Sequence, residues 1–159
     1  MASTDLAQAV LVQLRATSAV ATAFGDTWNP TNNTGVMKFF FDWAGQPDEP
    51  YLTAIEAWET YEFMTRTTGK TLAPYIATGQ LQVLIYQSDR QAARALGVLV
   101  AAALNDQTAA IAWTGFTLMN LRMARAEFAS ITVTGPNVPI AFNRILTFDY
   151  EYSGSITEP

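Results

Sequence analysis

The stretch Arg144–Tyr152 most narrows what this chain can become. Leu146, Phe148, Tyr150 and Tyr152 alternate with Thr147, Asp149 and Glu151, a period of two that a β-strand sorts into one apolar and one polar face. A strand with one wet face belongs in an antiparallel sheet, and its dry face needs a cover. Arg90–Leu104 can supply it. Ser88-Asp89 offers an N-cap, and Ala92, Leu96, Leu99 and Ala103, widened by Val100 and Leu104, make a broad apolar helical face.

The remaining segments fit around that pair. Leu6, Val10, Leu14, Thr17, Ala21 and Phe24 recur at helical spacing, after N-cap candidates Ser3, Thr4 and Asp5 and before Gly25-Asp26, so one helix is predicted there. Residues 27–50 read as a long loop carrying a short strand around Met37–Phe41. Tyr51–Phe63 and Gln80–Tyr86 alternate as strands, separated by a turn-rich stretch, Thr65–Gly79. Thr114–Met123 and Glu127–Thr134 read as two further strands, and 153–159 as a loose tail. With 159 residues and no repeat or composition shift, the prediction is a single α+β domain over 1–159. Its sheet is mostly antiparallel, with two packed α-helices.

Composition removes much chemistry. The chain has no cysteine and no histidine, which excludes disulfides, thiol nucleophiles, His-dependent triads and the common zinc sites. Fourteen acidic and nine basic side chains leave a net charge of −5, which argues against a surface that grips nucleic acid. Only 14% of residues are charged, against about 25% in an average soluble domain, so some surface awaits a partner. Met1–Leu6 lacks the basic start and apolar run of a secretory signal, and Ala95–Leu104 is shorter than the roughly 20 residues of a membrane span. A soluble protein made in a cytoplasm, with no membrane partner, is expected. Asn32-Asn33-Thr34 then reads as an ordinary polar loop rather than a glycosylation site.

The motifs that remain are modest. Gly69-Lys70-Thr71 ends like a phosphate-binding loop, but the first glycine of that pattern would fall on Met64, and Pro74 follows where a helix is needed. Glu56, Glu59 and Glu62 would share a face on a helix; on a regular strand Glu59 points away from the other two. Asp149 and Glu151 share a strand face, where solvated charge is the ordinary reading. Arg90 and Arg94 lie one helical turn apart, and with Arg122 and Arg125 they suit ion pairs across a subunit contact. Trp28, Phe40, Trp43 and Trp58 stand in or near polar, turn-rich sequence, as interface anchors do. The candidate interface set is therefore Trp28, Phe40, Trp43, Trp58, Arg90 and Arg94. No catalytic residue, cofactor or metal is expected.

The order of elements resembles a known family. A short helix opens the chain as DLAQAVLVQLRA, a long loop follows, and a strand enters through EPYLTAIEAWETYEF. A strand then passes through Gln-Ser-Asp into an alanine-rich helix, LQVLIYQSDRQAARALGVLVAAALND, and the alternating strand RILTFDYEY closes the domain. This is similar to the tail terminator (tail-completion) and neck proteins of long-tailed bacteriophages, over roughly the whole chain. The resemblance implies a ring-forming subunit, a hexamer, with no catalysis. It implies virion location in the tail or neck, contacts with the tail tube protein and the head-side connector or stopper, and DNA only passing through the lumen. Two alternatives stand beside it. One is another ring-forming tail protein, such as a tube subunit. The other is a small pocket protein, binder or carboxylate/Tyr enzyme, lined by Tyr61, Tyr86, Tyr150, Asp149 and Glu151.

Overall fold

Long strands dominate the computed structural model, which describes residues 5–41, 48–63, 72–131 and 141–157. In chain order the elements are α1 (Leu6–Ala16), α2 (Ser18–Phe24), β1 (Phe39–Phe41), β2 (Tyr51–Phe63), β3 (Leu72–Gln87) and α3 (Arg90–Leu104). A 3₁₀ turn at Thr108–Ala110, β4 (Thr117–Ile131) and β5 (Ala141–Thr157) complete them. The strands form one sheet in the order β1-β2-β3-β5-β4, antiparallel except for β1 against β2. This is an α+β fold.

The core lies between one sheet face and the helices. Leu52, Ala54, Leu81, Val83, Ile85, Leu146 and Phe148 bury against Leu6, Val10 and Leu14 of α1 and Leu96, Val100 and Leu104 of α3. α3 starts where the sequence places it, because Asp89 Oδ1 accepts from the backbone N–H groups of Gln91 (2.8 Å) and Ala92 (3.1 Å). The first helical segment is two helices, so the described residues hold three α-helices where two were expected. Thr17 is extended (φ −86°, ψ 102°), and its Oγ1 donates to the Gln13 carbonyl at 2.8 Å. A hydroxyl that bonds back to the preceding turn competes with helix continuation. Arg15 Nε meets buried Asp26 at 2.9 Å, and Asp26 Oδ1 also accepts from Lys38 N–H, tying α1 to the chain entering β1.

The sheet extends further than the alternation foretells, for one linked reason. β3 begins at Leu72, inside the stretch read as turns, and β5 runs to Thr157, through the stretch read as a loose tail; the two pair with each other there, Leu72↔Thr157 to Ile76↔Ser153. Pro74 signals a strand break because proline cannot donate to a ladder. Among the described residues β2 pairs with β3 as far as Phe63↔Tyr75, and Pro74 pairs with Ser155 of β5. β4 is likewise one strand rather than two. Bulges at Leu118/Asn120 and Met123/Arg125 reset its alternation and disguise the continuity. The strand predicted at Met37–Phe41 is only Phe39–Phe41. Trp43, Gly69-Lys70-Thr71 and the end of the predicted strand at Thr134 lie outside the described residues.

Candidate functional site

The half of the sheet beyond the helices is built differently from the core, and a single bulge makes it so. β2 pairs Glu56 with Leu81 and then Trp58 with Gln80, so Ala57 is an extra residue and the phase of the strand reverses. Glu56 and Glu59 consequently lie on the same face, and Glu62 on the other. The regular-strand expectation, which turned Glu59 away from Glu56, is corrected by that one inserted residue.

Glu59 thereby lands opposite Gly79 and Tyr150. Its Oε1 accepts from Tyr150 Oη (2.7 Å), and its Oε2 accepts from Tyr61 Oη (2.6 Å) and Tyr152 Oη (3.2 Å). Gly79 is required at this crossing. A Cβ there would collide with the Trp58 carbonyl and lie 2.6 Å from the Tyr150 hydroxyl. Around the carboxylate the rings interlock edge to face: Tyr75 on Tyr61 (5.5 Å) and on Tyr152 (6.1 Å), and Trp113 on Tyr152 (4.5 Å). An open hollow of about 310 Å³ lies against this cluster, lined by Asp5, Glu56, Trp58, Glu59, Trp113, Phe116 and Tyr152.

Burial, and then the Glu59 hydrogen bond and charge, push the Tyr150 hydroxyl far above the ordinary phenol range. Burial and the Glu59 and Tyr75 charges do the same for Tyr152. For Tyr61 the hydrogen bond to Glu59 is the leading cause of the rise. Phenols held this firmly protonated cannot serve as bases or nucleophiles near neutral pH. The arrangement fastens a carboxylate in place. Among the described residues no group of three or more His, Cys, Asp and Glu side chains is placed to hold a metal ion, and no helix is long and apolar enough to cross a membrane.

The opposite face is a polar ladder. Trp58 Nε1 donates to Gln80 Oε1 (3.0 Å), Gln80 Nε2 donates to Asp149 Oδ1 (3.0 Å), and the Thr60 and Thr78 hydroxyls meet at 3.0 Å. The five residues assigned to the pocket alternative therefore do not converge. Tyr61 and Tyr150 meet at Glu59, Asp149 and Glu151 border a second open hollow on the other face, and Tyr86 stacks on Tyr51 at 4.5 Å.

The candidate interface residues are also dispersed. Trp28 is half-buried at the start of the long loop. Phe40 is half-buried, edge-on to Tyr51 at 6.3 Å, and Trp58 is 48% exposed five positions further along β2 than Phe40's partner Thr53. Arg90 and Arg94 do meet, over the ring of Phe128, where Arg144 joins them. Tyr152, Trp113, Phe128 and Arg144 were not singled out from sequence. Their spacing carries no motif, and it takes the strand register to bring them together.

No protein-family model matches this chain, and no curated protein matches it in sequence. A solved structure does. A chain of the "Virion of native gene transfer agent (GTA) particle" superposes with a TM-score of 0.59 over 94% of this chain and 95% of that one, at 19% sequence identity. At that identity, what the two chains share is the fold.

Proposed function

We propose that this chain is a structural protein of a phage-like virion, without catalytic activity. Its role in this reading is that of a tail terminator or neck subunit, a ring of about six copies seated on the head-proximal end of the tail tube. The ring would halt tube growth, present its other face to the head-side connector or stopper, and let DNA pass through its lumen. The observation that carries the reading is the end-to-end likeness to a virion chain, 94% against 95% coverage, with no large unmatched segment on either side. The chain's own features agree. Its charge of −5 suits a lumen that DNA passes without sticking. β4 pairs only with β5 among the described residues, and β2 beyond Ala54 only with β3, so both sides of the sheet offer edges to neighbours.

Tail-tube protein polymerised in the presence and absence of this chain, and viewed by negative stain, tests the role. Tubes that stop at a capped end support a terminator. Unchanged tube growth contradicts it, and open-ended tubes formed by this chain alone would make it a tube subunit instead.

The hollow beside Glu59 favours a second reading, a small-ligand binder. At about 310 Å³ it sits at the lower end of ligand-site volumes. A thermal shift with small cationic ligands would support that reading, and a monomeric native mass would be its companion result.

A further inference from the structure

Three of the nine basic side chains converge on one ring. The guanidinium carbons of Arg144, Arg90 and Arg94 lie 4.3, 4.4 and 5.2 Å from the centroid of Phe128. Phe128 and Arg144 are cross-strand partners on β4 and β5, and Arg90 and Arg94 come down from the first turns of α3. Aromatic stacking organises the cations but does not neutralise them. Elsewhere among the described residues three arginines have acidic partners: Arg15 with Asp26, Arg122 with Asp106, Arg125 with Glu127. At Phe128 the groups acting on Arg144 are burial and the like charges of Arg94 and Arg90, which lower its pKa, and its buried Nε has no hydrogen-bond partner among the described residues. The α3 N-terminus adds its own positive end, offset by the capping Asp89. Beside the cluster runs an open apolar groove of about 220 Å³ between α3 and β4, floored by Leu146 and Ala126 and edged by exposed Val98 and Met123.

The geometry points to this cluster and groove as a receptor for an acidic, aromatic segment, and we infer that its occupant is the Trp58–Phe63 end of β2 from a second copy of the chain. Glu62 there is exposed and makes no hydrogen bond or ion pair among the described residues, and it shares its face of β2 with Trp58, which is 48% exposed. A carboxylate and an exposed indole on one strand face match cations beside an apolar groove. The two surfaces lie on opposite sides of one sheet, the receptor at β4 and the donor at β2, so the contact is head-to-tail rather than two-fold. Repeated from copy to copy, such a contact closes a ring where the rotation per copy allows it, and the inference rests on the ring reading above.

Sedimentation velocity of wild type, R90E/R94E, E62R and R90E/R94E/E62R at matched concentrations tests it. All substituted side chains are exposed, and glutamates at the start of α3 suit its dipole, so near-UV circular dichroism and Tm should stay at wild-type values. R90E/R94E and E62R should each weaken assembly at least about tenfold, and the combined variant should recover much of the loss. An R90E/R94E ring as stable as wild type, or a folded combined variant no better than R90E/R94E, overturns the contact while leaving the ring standing. Binding of a short DNA duplex that R90E/R94E abolishes would assign the cluster to phosphate and overturn it too. A wild-type chain that is monomeric throughout overturns both the contact and the ring.

Discussion

The two halves of the sheet share strands but not chemistry. Under α1 and α3, β3 and β5 present Leu81, Val83, Ile85, Leu146 and Phe148, all essentially without solvent contact. Beyond the Glu56/Trp58 bulge the same two strands, on the same face, present Tyr75, Ala77, Tyr150 and Tyr152 around a carboxylate. The first half is held by close-packed aliphatic volume, which stabilises strongly and needs no partner. The second is held by directional hydrogen bonds and edge-to-face rings, and leaves Trp58, Tyr61 and Phe63 at the surface. A monomer gains little from exposing three large aromatic side chains along one strand end; a subunit of an assembly covers them. The contrast separates the half that folds the chain from the half that, in the proposed reading, connects it to its neighbours.

Substitutions distinguish the two halves, beginning where the effect is greatest. Phe148→Ala removes a fully buried ring of the core and should cost about 4 kcal/mol in urea unfolding. A loss below about 1 kcal/mol would mean that half is loosely packed. Glu59→Ala, which strands the Tyr150 and Tyr152 hydroxyls, should cost about 2 kcal/mol, and Glu59→Gln, which keeps an acceptor, distinctly less. Equal losses would show that the tyrosines do not depend on that hydrogen bond.

Alkaline titration sharpens the same point. Tyr150 and Tyr152 ionise above the 10.0 of a free phenol in the folded chain. The unfolded chain therefore releases those protons first as pH rises. The stabilisation is complete below pH 10 and drains away as the pH climbs from 10 toward the folded values. Absorbance at the phenolate band should show a late-ionising class that Y150F/Y152F removes. Asp89→Ala, which uncaps α3, should cost about 1 kcal/mol. Smallest of all, Trp58→Ala should change monomer stability by no more than about 0.5 kcal/mol while weakening assembly. A large stability loss there would move Trp58 into the folding half.

What could be read from sequence follows the same division. α3, β2 and the middle of β5 were legible because helical or two-fold periodicity and a cap mark them, as Asp89 marks α3 and Leu146-to-Tyr152 marks β5. The far half was not, because its order comes from register. The Ala57 insertion turns Glu59 toward the tyrosines, and nothing in the local pattern announces it. Gly154 looks like a loop residue, yet its missing side chain makes room for the Tyr75 hydroxyl, which would lie 2.7 Å from a Cβ. The pairing of Arg90 with Arg94 follows from helical spacing; their meeting with Arg144 over Phe128 needs a strand alignment that spacing does not contain.

Ring closure, as proposed, is read out by native mass across a wide concentration range, with negative-stain images of the same samples. The expected result is a discrete species of about six times 17.4 kDa, ring-shaped in the images. A single 17.4 kDa species at every concentration would contradict it.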